Sequence, residues 1–242
     1  MGLCQGPDGS CSSCCGLYNL DFSVKEREKW LTTSTNNFLQ LDLTDSLSVY
    51  KYRLSVEPSL RLKSILNDVY VCPFIGWVNG EKTRSGCLLH PEGSPHPTTD
   101  KLDHPQSYSF YGQSICQNYN CSSKSKVLPF TWKSLWQKNI DPFLYGRVVS
   151  NHNLLNVISE ITQNKKYSVQ NLLSIVLKYA EKYPVPVTSF EMTLSFGFYT
   201  PDQLWDVLGT LFDKQSYGKN AFVLTKEGKK IGSSIRSEMA RI

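Results

Sequence analysis

The chain has 242 residues, of which 40% are hydrophobic and 19% charged, a composition that excludes a disordered protein and indicates a globular one. A chain of this length can bury a core without covalent staples, so stability alone does not require its eight cysteines. The net charge of +5 is uneven, because residues 1–122 hold 10 Lys and Arg against 12 Asp and Glu, which leaves 16 against 9 for the rest. A basic second half is compatible with a nucleic-acid partner but is also common on ordinary solvated surfaces.

The sequence shows no targeting or membrane signal. No apolar run reaches the roughly 18 residues of a transmembrane helix, and the first residues lack the basic and apolar regions of a secretory signal. Gly2 is where an N-myristoylated protein carries its lipid, but position 6 is Gly6, whereas the acceptor pattern needs Ser or Thr there. We therefore expect a cytoplasmic protein without a membrane partner. In that reducing compartment clustered cysteines are more often metal ligands or redox groups than disulfides, although a disulfide knot remains the alternative.

Residues 1–125 carry the predicted strands. Phe22 to Leu31 predicts a short charged helix, and then NFLQLDL and YKYRLSV (37–43 and 50–56) alternate apolar and polar residues. Period-two alternation is typical of half-buried strands, and Thr44 to Ser46 between the two runs suits the turn of a β-hairpin. Farther on, an apolar segment leads into an Asn79-Gly80 turn and returns through Gly86 to Cys87.

Residues 126–242 show the helical period instead. Apolar stripes at residues 153–162 and 168–184 predict two amphipathic helices. A third helix is predicted after Thr200, because Thr200 can cap it, Pro201 suits its first turn and Gln203 completes a capping box. The predicted fold class is α+β, with a cysteine-rich N-terminal metal module that includes a β-hairpin region (1–125), followed by a mainly helical domain (126–242).

The cysteines fall into three sequence groups, whose short spacings are typical of metal ligands. A tetrahedral zinc site takes about four thiolate or imidazole ligands, two of them often from a C-x2-C pair, and an iron–sulfur cluster takes about four thiolates. His90 follows Cys87 by three residues and is a further candidate, whereas His96 and His104 precede proline and favour a surface loop. The groups are Cys4, Cys11, Cys14 and Cys15; Cys72 and Cys87; and Cys116 and Cys121.

The motifs CSSCC, CPFIGW, GCLLHP and ICQNYNC, in this order, resemble the YkgJ-like cysteine-cluster proteins, a zinc- or iron-chelating family. The resemblance covers roughly residues 4 to 121 and implies that the chain holds zinc or an iron–sulfur cluster. It implies the following ligands, with Cys4 as an extra candidate: Cys11, Cys14, Cys15, Cys72, Cys87, Cys116 and Cys121.

The expected function is therefore metal binding, either structural or electron-transferring, without an assignable reaction. One alternative is a metal-sensing nucleic-acid regulator, because residues 200–232 resemble the recognition helix and wing of winged-helix proteins, with FVLTKEGKKIG as the strand and wing. Another is a redox or protein-modifying enzyme with an iron–sulfur cluster, since similar cysteine clusters occur in bacterial protein-lysine methylases of the flagellin type. The sequence has no phosphate-binding loop and no G-x-S-x-G motif, so no nucleotide-dependent or serine-hydrolase activity is predicted.

Overall fold

The computed structural model describes residues 5–6, 9–67, 69–90, 94–97, 99, 102, 104–118, 141–163, 167–183, 199–213 and 224–242. Within these ranges the chain is mostly helical, with two small antiparallel sheets of two strands each, and is thus broadly of the α+β kind. The strands are β1 (Gln5–Gly6), β2 (Gly9–Ser10), β3 (Ile75–Trp77) and β4 (Ser85–Cys87). The helices are α1 (Val24–Leu39), α2 (Ser46–Leu62), α3 (Gly112–Asn118), α4 (Pro142–Val149), α5 (His152–Gln163), α6 (Val169–Lys182), α7 (Gln203–Thr210) and α8 (Lys226–Met239).

Helix α1 begins two residues after the predicted start, at Val24, and runs eight residues past the predicted end, to Leu39. Ser23 and Glu26 form a capping box, in which each side chain bonds the backbone N–H of the other residue. The buried face of α1 lies on β3, because the Thr35 hydroxyl accepts a hydrogen bond from Trp77 N at 2.7 Å. The helix therefore supports the hairpin that ends in Cys87.

The two strands predicted at 37–43 and 50–56 are wrong, as is the hairpin between them. The first run ends α1, and the second lies inside α2. Asp45 caps α2, its side chain accepting from Leu47 N at 3.0 Å, so the chain between the runs begins a helix instead of turning back. In α2 the buried residues are Val49 and Leu60, which the helical period places on one face. Alternation over seven residues was too short a signal to separate the two periods.

The Asn79-Gly80 turn is confirmed, and the hairpin lies here. β3 pairs with β4 in the register Ile75↔Cys87, Gly76↔Gly86 and Trp77↔Ser85. The Asn79 side chain closes the turn, because its Oδ1 accepts from Thr83 N and Arg84 N at 3.2 and 2.9 Å. The turn chemistry thus fixes the position of Cys87 at the end of β4.

The three helices predicted in the second half are confirmed as α5, α6 and α7. The capping box before α7 is also present, with Thr200 N donating to Gln203 Oε1 at 2.9 Å and Gln203 N donating to Thr200 Oγ1 at 3.3 Å. The wing of the winged-helix interpretation is wrong, because KEGKKI begins α8, whose N-cap Thr225 accepts from Gly228 N at 2.9 Å. Phe222 and Val223, the start of the expected strand, lie outside the described residues.

Buried side chains of both halves form one hydrophobic cluster. Arg27 of α1 reaches Asp141 at the start of α4, with Nη2 and Oδ2 2.6 Å apart, and its guanidinium lies 3.9 Å from the centre of the Phe143 ring. The proposed boundary near residue 125 lies outside the described residues, so the two-domain division stays a prediction.

None of the helices in the described ranges is both long and apolar enough to cross a membrane.

Candidate thiol site

A tight loop carries Cys14 and Cys15 onto a second segment of the chain. Gly16, directly after them, has φ +79°, a left-handed conformation that glycine adopts without strain. A Cβ at Gly16 would overlap the Tyr70 carbonyl and lie 3.1 Å from Val71 Cα. Because the glycine leaves this space open, Cys72 N can donate to Cys15 O at 2.9 Å. The backbone thereby brings Cys72 beside the Cys14-Cys15 pair.

Asn19 fastens the same two segments together. Its side-chain Nδ2 donates to Leu66 O and Val69 O, both at 2.9 Å, and its Oδ1 accepts from Leu66 N at 2.9 Å. Its backbone carbonyl accepts a fourth bond, from Ile65 N at 2.7 Å. Asn19 is 2% exposed, so these bonds replace water for a buried amide. Asn19 thereby holds residues 65, 66 and 69 against the cysteine loop, in addition to the backbone bond between Cys72 and Cys15.

The thiols of the loop contact the hairpin. The Cys14 and Cys15 sulfurs lie 3.9 Å apart, and the Cys15 thiol is also hydrogen-bonded to Cys87 at the end of β4. Cys116 of α3 approaches from a fourth element, with its sulfur 3.0 Å from the Ser109 hydroxyl. Cysteines from three distant parts of the sequence thus converge in space.

Electrostatic interactions connect these thiols into one set, the five-thiol group. Its members are Cys14, Cys15, Cys72, Cys87 and Cys116. Hydrogen bonds to Cys14 and Cys87 hold the pKa of Cys15 well above its ordinary value, and the bond from Cys15 lowers the pKa of Cys14.

Burial is the main influence on two further members of the five-thiol group, Cys72 and Cys116. It raises the pKa of Cys72, which the neighbouring thiols Cys87, Cys116 and Cys14 raise further. Burial likewise raises the pKa of Cys116, with smaller contributions from Cys87 and Cys14. Each added thiolate therefore makes the next ionisation harder, as in any cluster of like charges. A cation among the sulfurs would reverse this penalty.

Three aromatic rings stand beside the five-thiol group. The Tyr70 ring centre lies 4.8 Å from that of Phe110 and 5.3 Å from that of Tyr111. Burial raises the pKa of the Tyr111 hydroxyl, and the charges of Cys72, Cys116 and Cys15 raise it further. The Tyr70 hydroxyl donates a hydrogen bond to the Glu57 carboxylate of α2, which fixes this ring two residues before Cys72.

The other candidate ligands do not belong to the five-thiol group. The Cys11 thiol donates to Gly146 O at 3.6 Å and bonds the hydroxyl of buried Tyr18, so it is directed toward α4. His90 follows the hairpin, with its backbone N–H donating to Cys87 O at 3.2 Å. Cys4 and Cys121 lie outside the described residues.

The interpretation of His96 as a surface residue is wrong. His96 is 8% exposed, its Nε2 donates to Leu41 O at 3.0 Å, and its ring meets Phe38 edge-on at 5.5 Å. It therefore fastens its loop to the turn after α1. His104 is exposed as expected, with Nδ1 2.6 Å from Gln113 Nε2.

Sequence reasoning missed the residues that position the thiols. Gly16 carried a usable signal, since a glycine directly after paired cysteines favours a positive φ. Asn19 and Tyr111 carried none, because their roles depend on partners about 50 residues away or on elements that fold beside them.

The donor chemistry of the five-thiol group suits thiophilic metals, but its present spacing is not that of a closed site. Sulfur ligands favour zinc, copper(I) and iron–sulfur clusters. Across the described ranges, no three His, Cys, Asp or Glu side chains stand in an arrangement that would hold a metal ion. The sulfurs instead engage each other and the Ser109 hydroxyl.

Comparison of the chain with protein-family models, with curated proteins and with solved structures found no match. The YkgJ-like resemblance therefore stays a prediction that depends on the cysteine motifs alone.

Proposed function

We propose that this protein binds zinc or an iron–sulfur cluster through the five-thiol group. One observation carries the proposal: five thiols from the N-terminal loop, residue 72, the hairpin and α3 interact electrostatically in one place. Five sulfurs exceed the roughly four that either centre requires. Cys4, Cys121 and His90 are candidates for additional ligands.

The cost of assembling these thiols supports a ligand role. A chain gains little by gathering ionisable groups that hinder each other's ionisation, and three members of the five-thiol group have raised pKa values. Structural cysteines in a core are ordinarily scattered as small apolar residues. Here the loop conformation at Gly16 and the bonds of Asn19 serve to keep the sulfurs together.

Metal binding would change the protonation of the site and the placement of its side chains. The thiols must lose their protons to become metal ligands. Because the pKa values of Cys15, Cys72 and Cys116 are raised, the affinity for metal should rise with pH as these thiols ionise. Binding must also bring the sulfurs closer than they stand in the free chain. Four thiolates around zinc would leave no open position and act structurally, whereas an iron–sulfur cluster would allow electron transfer.

The test is anaerobic purification of the full chain, followed by elemental analysis for zinc and iron, assay of acid-labile sulfide and an absorption spectrum. We expect either zinc without colour or iron with sulfide and visible absorption. The double variant Cys15→Ser with Cys87→Ser leaves three members of the five-thiol group, fewer than either centre requires, and should lose most of the bound metal. Cys11→Ser is the matched control, because its thiol is directed toward Gly146 and Tyr18, and it should keep the wild-type metal content.

A wild-type protein without zinc or iron, which also takes up neither when the reduced protein is reconstituted, would contradict the proposal. So would full metal content in the Cys15→Ser with Cys87→Ser double variant. Circular dichroism of each variant shows whether a loss of metal follows from a loss of fold.

A further inference from the structure

Helix α2 presents an unusually apolar face to solvent. Four of the nine large hydrophobic side chains that are exposed in the described part of the chain belong to this one helix. We call the surface formed by these four apolar side chains and two exposed cations the α2 outer face. Its residues are Leu47, Tyr50, Leu54, Leu62, Lys51 and Arg61. The exposed fractions of the four apolar side chains are 57%, 47%, 46% and 86%. Concentrated exposure of this kind marks an interaction surface, whereas single exposed leucines need no explanation.

The helical period places these six side chains together. At about 100° per residue they fall within a sector of about 120°, while the buried Val49 and Leu60 lie on the opposite side. From Leu47 to Leu62 the face is about 22 Å long, at about 1.5 Å per residue. The surface is therefore an apolar ridge along the outer side of α2, a helix with Pro58 in its interior.

The charge on this face has one sign. Lys51 and Arg61 are exposed within the ridge, and Glu57 is the one acidic residue in the sequence of α2. Glu57 lies on the flank of the helix, where its carboxylate contacts Arg53 at 3.4 Å and accepts a hydrogen bond from the Tyr70 hydroxyl. The ridge thus combines apolar side chains with cations and carries no carboxylate.

We propose that the α2 outer face binds the surface of an anionic phospholipid bilayer. The leucines would enter the boundary between headgroups and acyl chains, Tyr50 would lie at headgroup depth, and Lys51 and Arg61 would contact lipid phosphates. This is attachment to the surface by one side of a folded helix, not a membrane span. It does not depend on the five-thiol group.

The same features argue against a second copy of the chain as the occupant. In a two-fold symmetric pair the face would meet itself, which sets Lys51 and Arg61 against the same cations of the other copy. The outer side of a single helix is also convex, and Leu62 projects from it with 86% exposure. A fluid bilayer accepts a convex apolar ridge without matching its shape.

The test is flotation of the full chain with vesicles of phosphatidylcholine containing phosphatidylglycerol, against vesicles of phosphatidylcholine alone. We expect binding to the anionic vesicles, weakened by salt, and little binding to the neutral ones. Leu54→Ser with Leu62→Ser, and separately Lys51→Glu with Arg61→Glu, should each reduce the partition coefficient by about tenfold or more.

The matched controls lie on and beside α8, which packs on α6 and α7: Lys226→Glu with Lys229→Glu for the charge change, and separately Ile242→Ser for the apolar change. These side chains are exposed but do not belong to the ridge, so binding should stay within about twofold of wild type in both controls. Absence of binding to anionic vesicles, or equal losses in these controls, would overturn the proposal. A dimer in sedimentation experiments that Leu54→Ser abolishes would instead assign the face to a second copy.

Discussion

Two regions of this protein are held together in different ways. The thiol region consists of the segments that carry the five-thiol group, and the helical region consists of helices α4 to α8. Around the thiols, single polar contacts connect distant segments, as Asn19 does with four hydrogen bonds to residues 65–69. In the helical region, α7 and α8 pack so closely that a Cβ at Gly209 would overlap Gly228 O, and one at Gly232 would overlap Trp205 O. The thiol region is defined by specific bonds, the helical region by close packing of apolar faces.

This difference has consequences for what a substitution does. Close packing shares its free energy over many contacts and fails when volume is added, since helix backbones in contact cannot yield locally. A loop held by a few bonds can shift by a small amount and keep the rest of the fold. Substitutions in the helical region should therefore affect global stability most, and those in the thiol region should affect the site most.

The largest expected effect is that of Gly232→Val. The new side chain cannot fit while α8 touches Trp205, so the helices must separate and expose Ile231 and Ile235. We expect the free energy of unfolding to fall by about 3 to 4 kcal/mol, or the chain not to fold, because overpacking is added to lost burial. Urea unfolding followed by circular dichroism measures it.

Ser233→Ala is the control for this substitution, because Ser233 is the next residue of α8 and its side chain is exposed. It should change stability by no more than about 0.5 kcal/mol, in the stabilising direction that alanine favours in helices. If Gly232→Val were no more destabilising than this control, the close packing of α7 and α8 would not be what holds the helical region.

A smaller global effect with a larger local one is expected for Gly16→Ala. The alanine meets both the strain of a positive φ and the overlap with the Tyr70 carbonyl, so we expect a loss of about 2 to 3 kcal/mol. The loop should also move away from Cys72 and expose the thiols. Alkylation of Cys72 by iodoacetamide, followed by peptide mass spectrometry, should therefore become faster relative to wild type.

Gly112→Ala separates the two causes. Gly112 has φ +70° but nothing within 4 Å of its would-be Cβ, so its loss should be the strain alone, about 1 kcal/mol. Equal losses at Gly16 and Gly112, with unchanged alkylation of Cys72, would show that the approach of the two segments does not depend on the missing Cβ.

The same division explains what the sequence could predict. Helices α5, α6 and α7 were found because their apolar stripes and caps are local signals, such as the Thr200–Gln203 capping box. The hairpin at Asn79 was found for the same reason, since its turn is closed by its own side chain. The false strands at 37–43 and 50–56 arose where a short apolar pattern fitted both periods and the Asp45 cap favoured helix.

The candidate site was only partly predictable. The cysteine motifs identified the thiols, but not that Cys14, Cys15, Cys72, Cys87 and Cys116 would form one group while Cys11 is directed toward α4. The Cys11 thiol donates to Gly146 O, and Gly146 leaves space for the Tyr18 hydroxyl that a Cβ would overlap. Contacts between residues more than a hundred positions apart leave no pattern in a single sequence.

The smallest expected effect concerns the ion pair between the two halves. Arg27 has a side chain that is 7% exposed, and its guanidinium lies against both Asp141 and the ring of Phe143. In a double-mutant cycle with Arg27→Met and Asp141→Asn, we expect a coupling energy of about 1 kcal/mol, since Asp141 is partly solvated at 40% exposure. Arg27→Met alone should cost more than this coupling, because it also removes the contact with Phe143.

The pair Lys178–Glu238 in the helical region is the control for this cycle. Its nitrogen and oxygen are also 2.6 Å apart, but the Lys178 side chain is 67% exposed. Water and salt screen it, and holding a long side chain in place offsets the attraction, so its coupling should be too small to separate from zero. Because the two pairs share a distance and differ in burial, equal couplings would mean that burial does not decide their strength. If only the Arg27–Asp141 pair shows a coupling, that ion pair is a specific bond of the kind that holds the thiol region, and it connects α1 to the start of α4.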